Sequence, residues 1–436
     1  MTYADAIQFL CGLRMFGTEL GLDKTLKLAA LAGNPQNALR FIHVAGTNGK
    51  GSTCAMLESI YRCAGLRVGL FTSPHLVSFG ERIQINRRPG NEHEVVRLVS
   101  ELQPLLKCFP NDAHPTFFEA ITIMALRHFA EQKCDLVVWE TGLGGRLDAT
   151  NIVTPLASVI TSLGLDHEKW LGDTIGQIAS EKAGIIKPRL PVITSASAGH
   201  GLECVVEAAR QRRSPLTVIG WKEASQPPLD KVRLPLLGDF QRLNAALAVA
   251  TVRALAKTIP VSEETMASGL SRVSWPGRLQ LIERADGQRV LLDGAHNPAG
   301  AEELRSEIQK RFANPKPTLI LGILEDKDWK TIGAMLAPLA GRLLLTPVKS
   351  ERTLAPAELL SVSHKANPQA SVIVCASLAE ALEKTKEDRV MVITGSLYLV
   401  GEAMELLGLL AAPSDGESRL NEWGGRAMPK DVMTNE

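Results

Sequence analysis

The sequence predicts an α/β protein with a mostly parallel sheet in a first domain and a second, smaller α/β domain after it. Short apolar runs rich in Val, Ile and Leu alternate with longer segments whose apolar residues recur at spacings of three and four. Alternation of this kind favours a largely parallel sheet wrapped by helices. A second series of such runs follows residue 275, which predicts the second domain.

The first series combines strand-like runs with helical patterns. The helical patterns cover 52–65 and 117–132, where the apolar side chains fall on one face of a helix. The runs with strand character are 41–45, 68–72, 135–140, 157–162 and 191–195. Their order along the chain is that of repeated strand–helix–strand units.

The second series has the same character. A helical pattern covers 300–312, and the strand-like runs are 289–297, 317–324, 341–348, 370–375 and 389–395. Pro276 and Gly277 interrupt both periodicities, so we place the domain boundary there. We therefore predict domains at 1–275 and 276–411. Residues 412–436 are rich in Gly, Pro, Ser and charge, and we predict that they form a flexible tail.

Composition excludes several classes of protein. The 436 residues carry a net charge of +1 without a basic block, so nucleic acid is not an expected partner. Apolar runs are too short to cross a membrane. The seven cysteines are scattered and form no C-x-x-C pair, which fits a reducing compartment. The N-terminus does not read as a signal peptide, so we expect a cytoplasmic protein.

The segment FIHVAGTNGKGST, residues 41–53, places a glycine-rich turn between a predicted strand and a predicted helix. The first N–H groups of a helix lack partners, and its positive dipole end favours an anion. Glycines let the backbone approach phosphate closely, and Lys50 adds a positive charge. The spacing departs from G-x-x-x-x-G-K-[ST], because Val44 replaces the first glycine and Gly51 follows the lysine. We expect a phosphate loop of another kind; an ordinary turn is the alternative.

Acidic residues and histidines follow other predicted strands. Glu140 ends the run 135–140, and Asp166 and His167 come after the next strand-like run. In a parallel sheet these positions share one edge with Lys50, where α/β proteins form their sites. A carboxylate there is suited to Mg²⁺ beside a nucleotide. A solvent-facing glutamate and a structural histidine are the alternatives.

Two further positions are ambiguous from the residues alone. Lys182 follows Glu181 in a predicted helix, which by composition indicates a solvated surface pair. Asp293 and His296 stand at the end of a strand in the second domain. A carboxylate at that point often takes a ribose hydroxyl, and a simple Asx turn is equally compatible.

Taken together, the motifs resemble one family. They are AGTNGKGST, FTSPHL, ETGLGGRLDATN, LDH, EKAG, PGR and DGAHNP, in this order between Gly46 and Tyr398. The chain resembles folylpolyglutamate synthase and bifunctional dihydrofolate synthase/folylpolyglutamate synthase, of the ATP-dependent Mur ligase superfamily. The resemblance accounts for the unusual loop, since G-T-N-G-K-G-S is that family's own version. It implies a P-loop type ATPase domain followed by a Rossmann-like ligase domain.

The resemblance also implies a reaction. ATP phosphorylates a carboxylate of a pterin substrate, and the amino group of L-glutamate attacks the acyl phosphate to form an amide. Two anions must be brought together, so cations and N–H dipoles have to offset their repulsion. The implied substrates are dihydropteroate or a reduced folate together with L-glutamate, and the implied state is a monomer.

Nucleotide and metal residues are implied by position. Asn244, Arg278 and Asp293 would contact the base and ribose. Ser73, Glu140 and His167 would hold Mg²⁺, with two ions expected. The phosphates would be wrapped by Thr47, Asn48, Gly49, Lys50, Gly51, Ser52 and Thr53.

The catalytic and substrate residues follow in the same way. Lys182 matches a position carboxylated by CO₂ in this family, in conflict with the surface-pair interpretation. Arg82 is a weaker candidate for the acidic substrate. The implied catalytic group is Lys50, Glu140, His167, Lys182 and His296. The implied glutamate-side residues are His296, Ser396 and Tyr398, and the pterin-side residues are Phe117, Phe118, Arg146 and Asp148.

Alternatives remain open at this stage. One is another amino-acid ligase of the Mur superfamily. A second is a P-loop kinase or nucleotide switch, which would not need the second domain. A third is a nucleotide-binding protein without catalysis. Within the family, GLDKTLKLAA, residues 21–30, resembles the N-terminal segment of bifunctional members and favours both activities.

Overall fold

The computed structural model describes residues 1–17, 20–411 and 416–422. Its contacts divide the chain into two compact units. The first unit contains Met1–Leu234 and Arg242–Val273, and the described residues 416–422 belong to it. The second unit contains Pro235–Gln241 and the chain from Ser274 onward to residue 411. The α/β class with two largely parallel sheets is as predicted from the sequence.

In the described part of the first unit, eight strands form one sheet in the order β4-β3-β2-β5-β1-β6-β7-β8. The β3 strand is antiparallel to β2 and to β4, and the remaining pairings are parallel. The strands are β1 Phe41–Ala45, β2 Val68–Phe71, β3 Ile83–Ile85, β4 Arg88–Pro89, β5 Leu136–Glu140, β6 Ala157–Ile160, β7 Val192–Thr194 and β8 Leu216–Val218. Because β1 lies between β5 and β6, the loops after these three strands meet at one edge.

Helices cover this sheet. They are α1 Tyr3–Gly12, α2 Asp23–Leu31, α3 Lys50–Cys63, α4 Glu92–Leu106, α5 Phe117–Glu131, α6 Glu168–Leu171, α7 Ile175–Ala183, α8 His200–Gln211, α9 Asp239–Ala254 and α10 Glu263–Ser271. Several begin with a capping box, as at Thr116, whose hydroxyl accepts from the Glu119 N–H while the Glu119 carboxylate accepts from the Thr116 N–H. Phe41, Phe71, Phe129 and Trp139 form the aromatic centre of the core under α5.

In the described part of the second unit, six strands form a sheet in the order β13-β12-β11-β14-β10-β9. Only the edge strand β9 of this sheet is antiparallel, to β10. The strands are β9 Gln280–Glu283, β10 Arg289–Asp293, β11 Thr318–Leu321, β12 Arg342–Leu345, β13 Ser371–Val374 and β14 Val390–Thr394. The helices are α11 Pro298–Arg311, α12 Trp329–Leu336, α13 Pro356–Ala366, α14 Leu378–Lys384 and α15 Leu397–Leu406. The central strands are buried on both faces, as apolar parallel strands require.

The predicted tail differs from the structure where the chain is described. Glu417–Asn421 is a short 3₁₀ helix, and Glu417, Leu420 and Asn421 are buried in the first unit. Polar composition suggested a tail, but these polar groups find partners on the first unit. Residues 412–415 and 423–436 of that prediction lie outside the described residues. A search of the described helices found none long and apolar enough for a membrane span.

Candidate active site

The phosphate loop, residues 46–53, leaves the central strand β1 and runs into α3. Its glycines are required by geometry at two positions. Gly46 has φ 151°, and a Cβ there would lie 1.7 Å from Thr161 Oγ1. Gly49 has φ 87°, and a Cβ there would lie 2.5 Å from Asn244 Oδ1. The loop therefore lies tightly between the end of β6 and α9, and Asn244 is brought to it.

The loop is fixed by the residues that follow β6. The Thr47 N–H donates to Ser162 O at 2.8 Å, and the Thr47 hydroxyl donates to Gly164 O at 3.0 Å. Asn48 O accepts from the Thr161 hydroxyl at 2.7 Å and from the Ser162 hydroxyl at 3.1 Å. These bonds fix the loop just before the first turn of α3, where Ser52 and Thr53 are buried. The geometry is that of an anion cradle.

Two lysine side chains meet at this loop. Lys50 Nζ donates to Gly46 O at 3.1 Å and to Thr47 O at 3.2 Å. Lys182 Nζ, from the last turn of α7, donates to the same Gly46 carbonyl at 2.9 Å. Lys182 is only 4% exposed, so the surface-pair interpretation from composition is wrong. Sequence alone could not show this, because Glu181 and Lys182 are neighbours that point to different surroundings.

The environment of Lys182 changes its acidity. Burial, and after it the charge of Lys50, lower the pKa of the Lys182 amine from its ordinary 10.5 to about 7, against smaller opposing effects of Asp166, Asp148 and Glu181. Removing an amine from water disfavours its charged form, and a second cation does the same. At neutral pH a substantial fraction of this amine is therefore unprotonated and nucleophilic.

Glu140 ends β5, beside the phosphate loop. It is 3% exposed, and its Oε2 accepts from the Ser73 N–H at 3.1 Å. The structure thus brings Ser73 and Glu140 together, although they are distant in sequence. Within the described ranges, no group of three or more His, Cys, Asp and Glu side chains could hold a metal by itself. One carboxylate and one hydroxyl do fit Mg²⁺, which takes few protein ligands and completes its shell with phosphate and water.

Asp166 and His167 lie on the loop after β6. His167 has φ 56°, and its N–H donates to Asp166 Oδ1 at 2.9 Å. Its Nε2 is 3.9 Å from Asp166 Oδ2, with the His167 side chain 28% exposed. Asp166 also acts on the Lys182 amine electrostatically. His167 therefore lies on the loop after β6, whose earlier residues Ser162 and Gly164 are bonded to Thr47 of the phosphate loop.

The Asp148 loop, residues 141–152, follows Glu140. Asp148 is buried, with Oδ2 accepting from the Leu143 N–H at 2.7 Å and Oδ1 from the Thr150 N–H at 3.0 Å. The Thr150 hydroxyl also donates to Asp148 Oδ1, and it lies 2.9 Å from His43 Nε2. Because that hydroxyl proton is used on Asp148, His43 must carry its proton on Nε2 and donate it. Burial lowers the pKa of His43 to about 3, so the ring is neutral.

The remaining pterin-side candidates separate into two places. Phe118 packs on the Asp148 loop, since a Cβ on Gly142 would lie 2.4 Å from its ring. Arg146 pairs with Glu181 at 2.8 Å and is mostly exposed. Phe117, which is buried, instead lies beneath the guanidinium of Arg82, 5.5 Å from it. Arg82 is 4% exposed and donates to His75 Nδ1 at 2.8 Å.

The second unit presents its own group of predicted residues at the ends of β10 and β14. Asp293 is buried, with Oδ2 accepting from the Leu279 N–H at 2.8 Å and Oδ1 from the Ala295 N–H at 2.9 Å. Burial raises the pKa of Asp293, and these bonds and Arg278 oppose the rise. His296 Nδ1 lies 2.7 Å from Gly294 O, so that nitrogen carries a proton. Asp293 therefore fixes the turn that carries Arg278 and the turn that carries His296.

Ser396 and Tyr398 start α15, directly after β14. The Ser396 hydroxyl caps the helix by accepting from the Tyr398 N–H at 3.2 Å. The Tyr398 hydroxyl accepts from Arg352 at 2.8 Å, and Arg352 also lies 3.2 Å from Asp326. Thr394 and Asp293 are paired in the sheet, so these residues and His296 share one edge. Sequence reasoning missed Arg352, because no motif or strand end marks it.

Both units match known protein families. The family model described as Mur ligase middle domain matches residues 44–196, and that described as Mur ligase, glutamate ligase domain matches residues 277–397. A dihydrofolate synthase/folylpolyglutamate synthase of Bacillus subtilis is 35% identical, covering 93% of this chain and 99% of the relative.

Solved structures agree over the same length. Escherichia coli FolC in complex with DHPP and ADP has a TM-score of 0.84 at 31% identity, covering 94% of this chain and 98% of that one. A bifunctional folylpolyglutamate synthase/dihydrofolate synthase with Mn, AMPPNP and L-glutamate bound has a TM-score of 0.81 at 29% identity, with the same coverage. Because these matches cover nearly the whole chain, both units resemble the corresponding parts of these proteins. The chain therefore belongs to the folylpolyglutamate synthase/dihydrofolate synthase family of ATP-dependent glutamate ligases.

Proposed function

We propose that this chain adds L-glutamate both to dihydropteroate and to reduced folates. The proposal of two activities is based on helix α2. This helix contains most of residues 21–30, the segment that resembles bifunctional members of the family. The Thr25 hydroxyl on α2 donates to Glu119 Oε1 at 3.1 Å, and Lys24 Nζ donates to His114 O at 3.3 Å. Helix α2 is thereby bound to the start of α5, which carries the pterin-side candidates Phe117 and Phe118.

The residues of the phosphate loop would bind the nucleotide. Its backbone N–H groups and Lys50 would meet the phosphates, and Asn244 and Asp293 would contact the base and ribose with Arg278. Support comes from the tight fit of the loop against Asn244 and from the position of Lys50 over two loop carbonyls. Positive charge at this point lowers the barrier for transfer to a carboxylate, because the two reacting anions repel each other.

A divalent cation bound by Ser73, Glu140 and His167 would neutralise phosphate charge when present. A carbamate on Lys182 would add a further anionic oxygen pair near the loop. Its formation joins the neutral amine to CO₂ with loss of one proton, and the lowered pKa of Lys182 supplies that neutral amine. Lys50 lies close enough to influence this amine and would pair with the resulting anion.

Substrate contacts are proposed at both units. Phe118, Arg146 and Asp148 would line the pterin side, and His296, Ser396 and Tyr398 the glutamate side. Arg352, bonded to the Tyr398 hydroxyl, adds a cation suited to a carboxylate of glutamate. Arg82 and Phe117 are weaker candidates, because Arg82 already donates a hydrogen bond to His75 Nδ1. We propose a monomer in the cytoplasm with small-molecule partners only.

The decisive experiment is phosphate release from ATP with Mg²⁺ and L-glutamate, run in parallel with dihydropteroate and with tetrahydrofolate. Glutamate-dependent release with both pterins is the expected result. Release with tetrahydrofolate alone would reduce the proposal to polyglutamylation. Release with neither, or release that does not depend on glutamate, would overturn it in favour of a nucleotide hydrolase or switch.

A further inference from the structure

The described C-terminal segment, residues 416–422, is unusual in its position. It is separated from the rest of the first unit in sequence by the whole second unit, yet it folds onto the first unit. Glu417 is 2% and Asn421 5% exposed, and Leu420 joins the aromatic core cluster. Burial of a carboxylate and an amide is unfavourable unless both are hydrogen-bonded, so their partners decide what the segment does.

Some partners lie at the N-terminus of the chain, where Tyr3 hydrogen-bonds the Glu417 side chain and Arg14 donates to Glu422 O. The others lie on the Ser73 loop, residues 73–82. Glu417 Oε2 accepts from the Phe79 N–H at 2.5 Å, and Asn421 Oδ1 accepts from the Arg82 guanidinium at 2.6 Å. The Asn421 amide donates to His75 O at 2.9 Å. These bonds join both side chains of the segment to three points spread along the loop.

The histidine completes the network. The Arg82 Nε–H donates to His75 Nδ1 at 2.8 Å, so His75 carries its proton on Nε2. That nitrogen lies 3.2 Å from Glu417 O and donates to it. Burial and the Arg82 charge hold the pKa of His75 well below its ordinary value, which keeps the ring in this neutral form. His75 is therefore bonded through Nδ1 to Arg82 of its own loop and through Nε2 to the segment.

The other end of the Ser73 loop reaches the candidate metal site. The Ser73 N–H donates to Glu140 Oε2 at 3.1 Å. Within the loop, Glu81 accepts from the N–H groups of Leu76, Val77 and Ser78 at 2.7–2.9 Å. The loop is therefore internally braced, with Glu140 at its start and the C-terminal segment at its middle and end. These bonds connect the two attachments within one loop.

We propose that the C-terminal segment is a positioning element of the nucleotide and metal site, acting through the Ser73 loop on Ser73 and Glu140. The proposal rests on the function proposed above for those two residues. In this proposal the segment takes no part in the chemistry. It also gives Arg82 a structural partner in the segment, Asn421.

Its test compares four chains with the full-length protein. Asn421→Ala removes one acceptor of Arg82 and the donor to His75 O. Arg419→Ala changes an exposed side chain of the same segment and is the matched control. One truncated chain ends after Ala411 and lacks the segment. The other ends after Glu422 and keeps it.

Two measurements are made on each chain. Hydrogen–deuterium exchange of the amides in residues 73–82 needs no substrate. The Mg²⁺ concentration for half-maximal glutamate-dependent phosphate release reports on the metal site. Asn421→Ala and the chain ending at Ala411 should exchange at least about tenfold faster in this loop and need about tenfold more Mg²⁺, which corresponds to roughly 1.4 kcal/mol. Arg419→Ala and the chain ending at Glu422 should match the full-length protein.

The outcomes separate the two proposals. If the loop of Asn421→Ala exchanges at the full-length rate, or exchanges faster without any change in Mg²⁺ dependence, the positioning role is overturned. If the chain ending at Ala411 does not fold, Asn421→Ala still decides. If the full-length protein shows no glutamate-dependent release, the proposed function fails, and unchanged exchange in Asn421→Ala would reject the attachment independently.

Discussion

Individual charges around the phosphate loop owe their properties to burial. Lys50 and Lys182 share one carbonyl, Gly46 O, yet only Lys182 is nearly inaccessible to water. Burial disfavours the charged form of the Lys182 amine. Lys50 is less buried and remains available to bind an anion. One lysine is thereby suited to phosphate and the other to reaction with CO₂.

Replacing Lys50 should abolish most turnover while leaving the fold intact, since its charge faces the loop and not a hydrophobic core. Lys50→Ala should lower kcat/KM by more than about tenfold, or roughly 1.4 kcal/mol in barrier. The exposed Lys257→Ala serves as control and should be unaffected. Turnover within tenfold of the unaltered protein, together with an unchanged melting temperature, would reject the phosphate role of Lys50.

Lys182 should bind CO₂ in a pH-dependent way. Its amine loses its proton near pH 7, so carbamate should increase between about pH 6 and about pH 8. The measurement is ¹³C NMR in ¹³C-bicarbonate, where Lys182→Ala should lack the signal and Lys187→Ala should retain it. A signal that persists in Lys182→Ala would contradict the assignment.

The same pKa shift predicts a stability effect. The folded protein binds this proton more weakly than the unfolded chain does, whose amine titrates near 10.5. Protonation therefore favours unfolding, and the contribution of Lys182 to stability falls as pH decreases from about 10.5 to about 7, then stays constant. Lys182→Met should flatten the pH dependence of urea unfolding across that window. If Lys182→Met had the same pH dependence of unfolding as the unaltered protein, the lowered pKa of Lys182 would be contradicted.

At the scale of an element, the Asp148 loop depends on one hydroxyl. Thr150 is fully buried and joins His43 to Asp148, so the loop is fixed to the central strand β1. Trp139 adds a bond to the Thr150 carbonyl at 3.0 Å. The sequence motif predicted the loop, but His43 in β1 carries no motif signal, and only the fold shows that it supports Asp148.

Thr150→Val keeps the shape of the side chain and removes this hydroxyl. The His43 N–H would then be buried without its acceptor, which should cost about 1–3 kcal/mol of unfolding free energy. The KM for the pterin substrate should rise more than the KM for ATP. Thr251→Val is the matched control, because that buried hydroxyl bonds only Leu247 O of its own helix. Equal changes in both KM values would argue against a pterin-side role.

At the scale of the whole molecule, each unit has its own sheet and its own core. Leu237 and Phe240 pack against the core of the second unit although they precede it in sequence. The boundary predicted at 275 follows the Pro-Gly interruption, which is local, and cannot reveal such a distant contribution. The same limit applies to the C-terminal segment, whose polar composition predicted a tail.

In the full-length protein, Leu237→Ala should therefore lower the free energy of unfolding by about 1–2 kcal/mol, because Leu237 packs against the core of the second unit. Urea unfolding followed by circular dichroism measures the change. Leu406→Ala is the control, since that side chain of the second unit is 49% exposed and its loss should matter less. Equal effects of the two substitutions would contradict this packing.

The sequence by itself determined the α/β class, the positions of the main strands along the chain and the glycine-rich turn between β1 and α3. Each of these features depends on the spacing of apolar residues or on a short motif. Both can be recognised in the sequence without knowledge of tertiary contacts. The tertiary structure alone decided that Lys182 is buried beside Gly46, that Arg82 serves the C-terminal segment and that Thr150 links His43 to Asp148. The physical reason is that burial and long-range partners set the charge state and bonding of a polar group, and neither is encoded in its immediate neighbours.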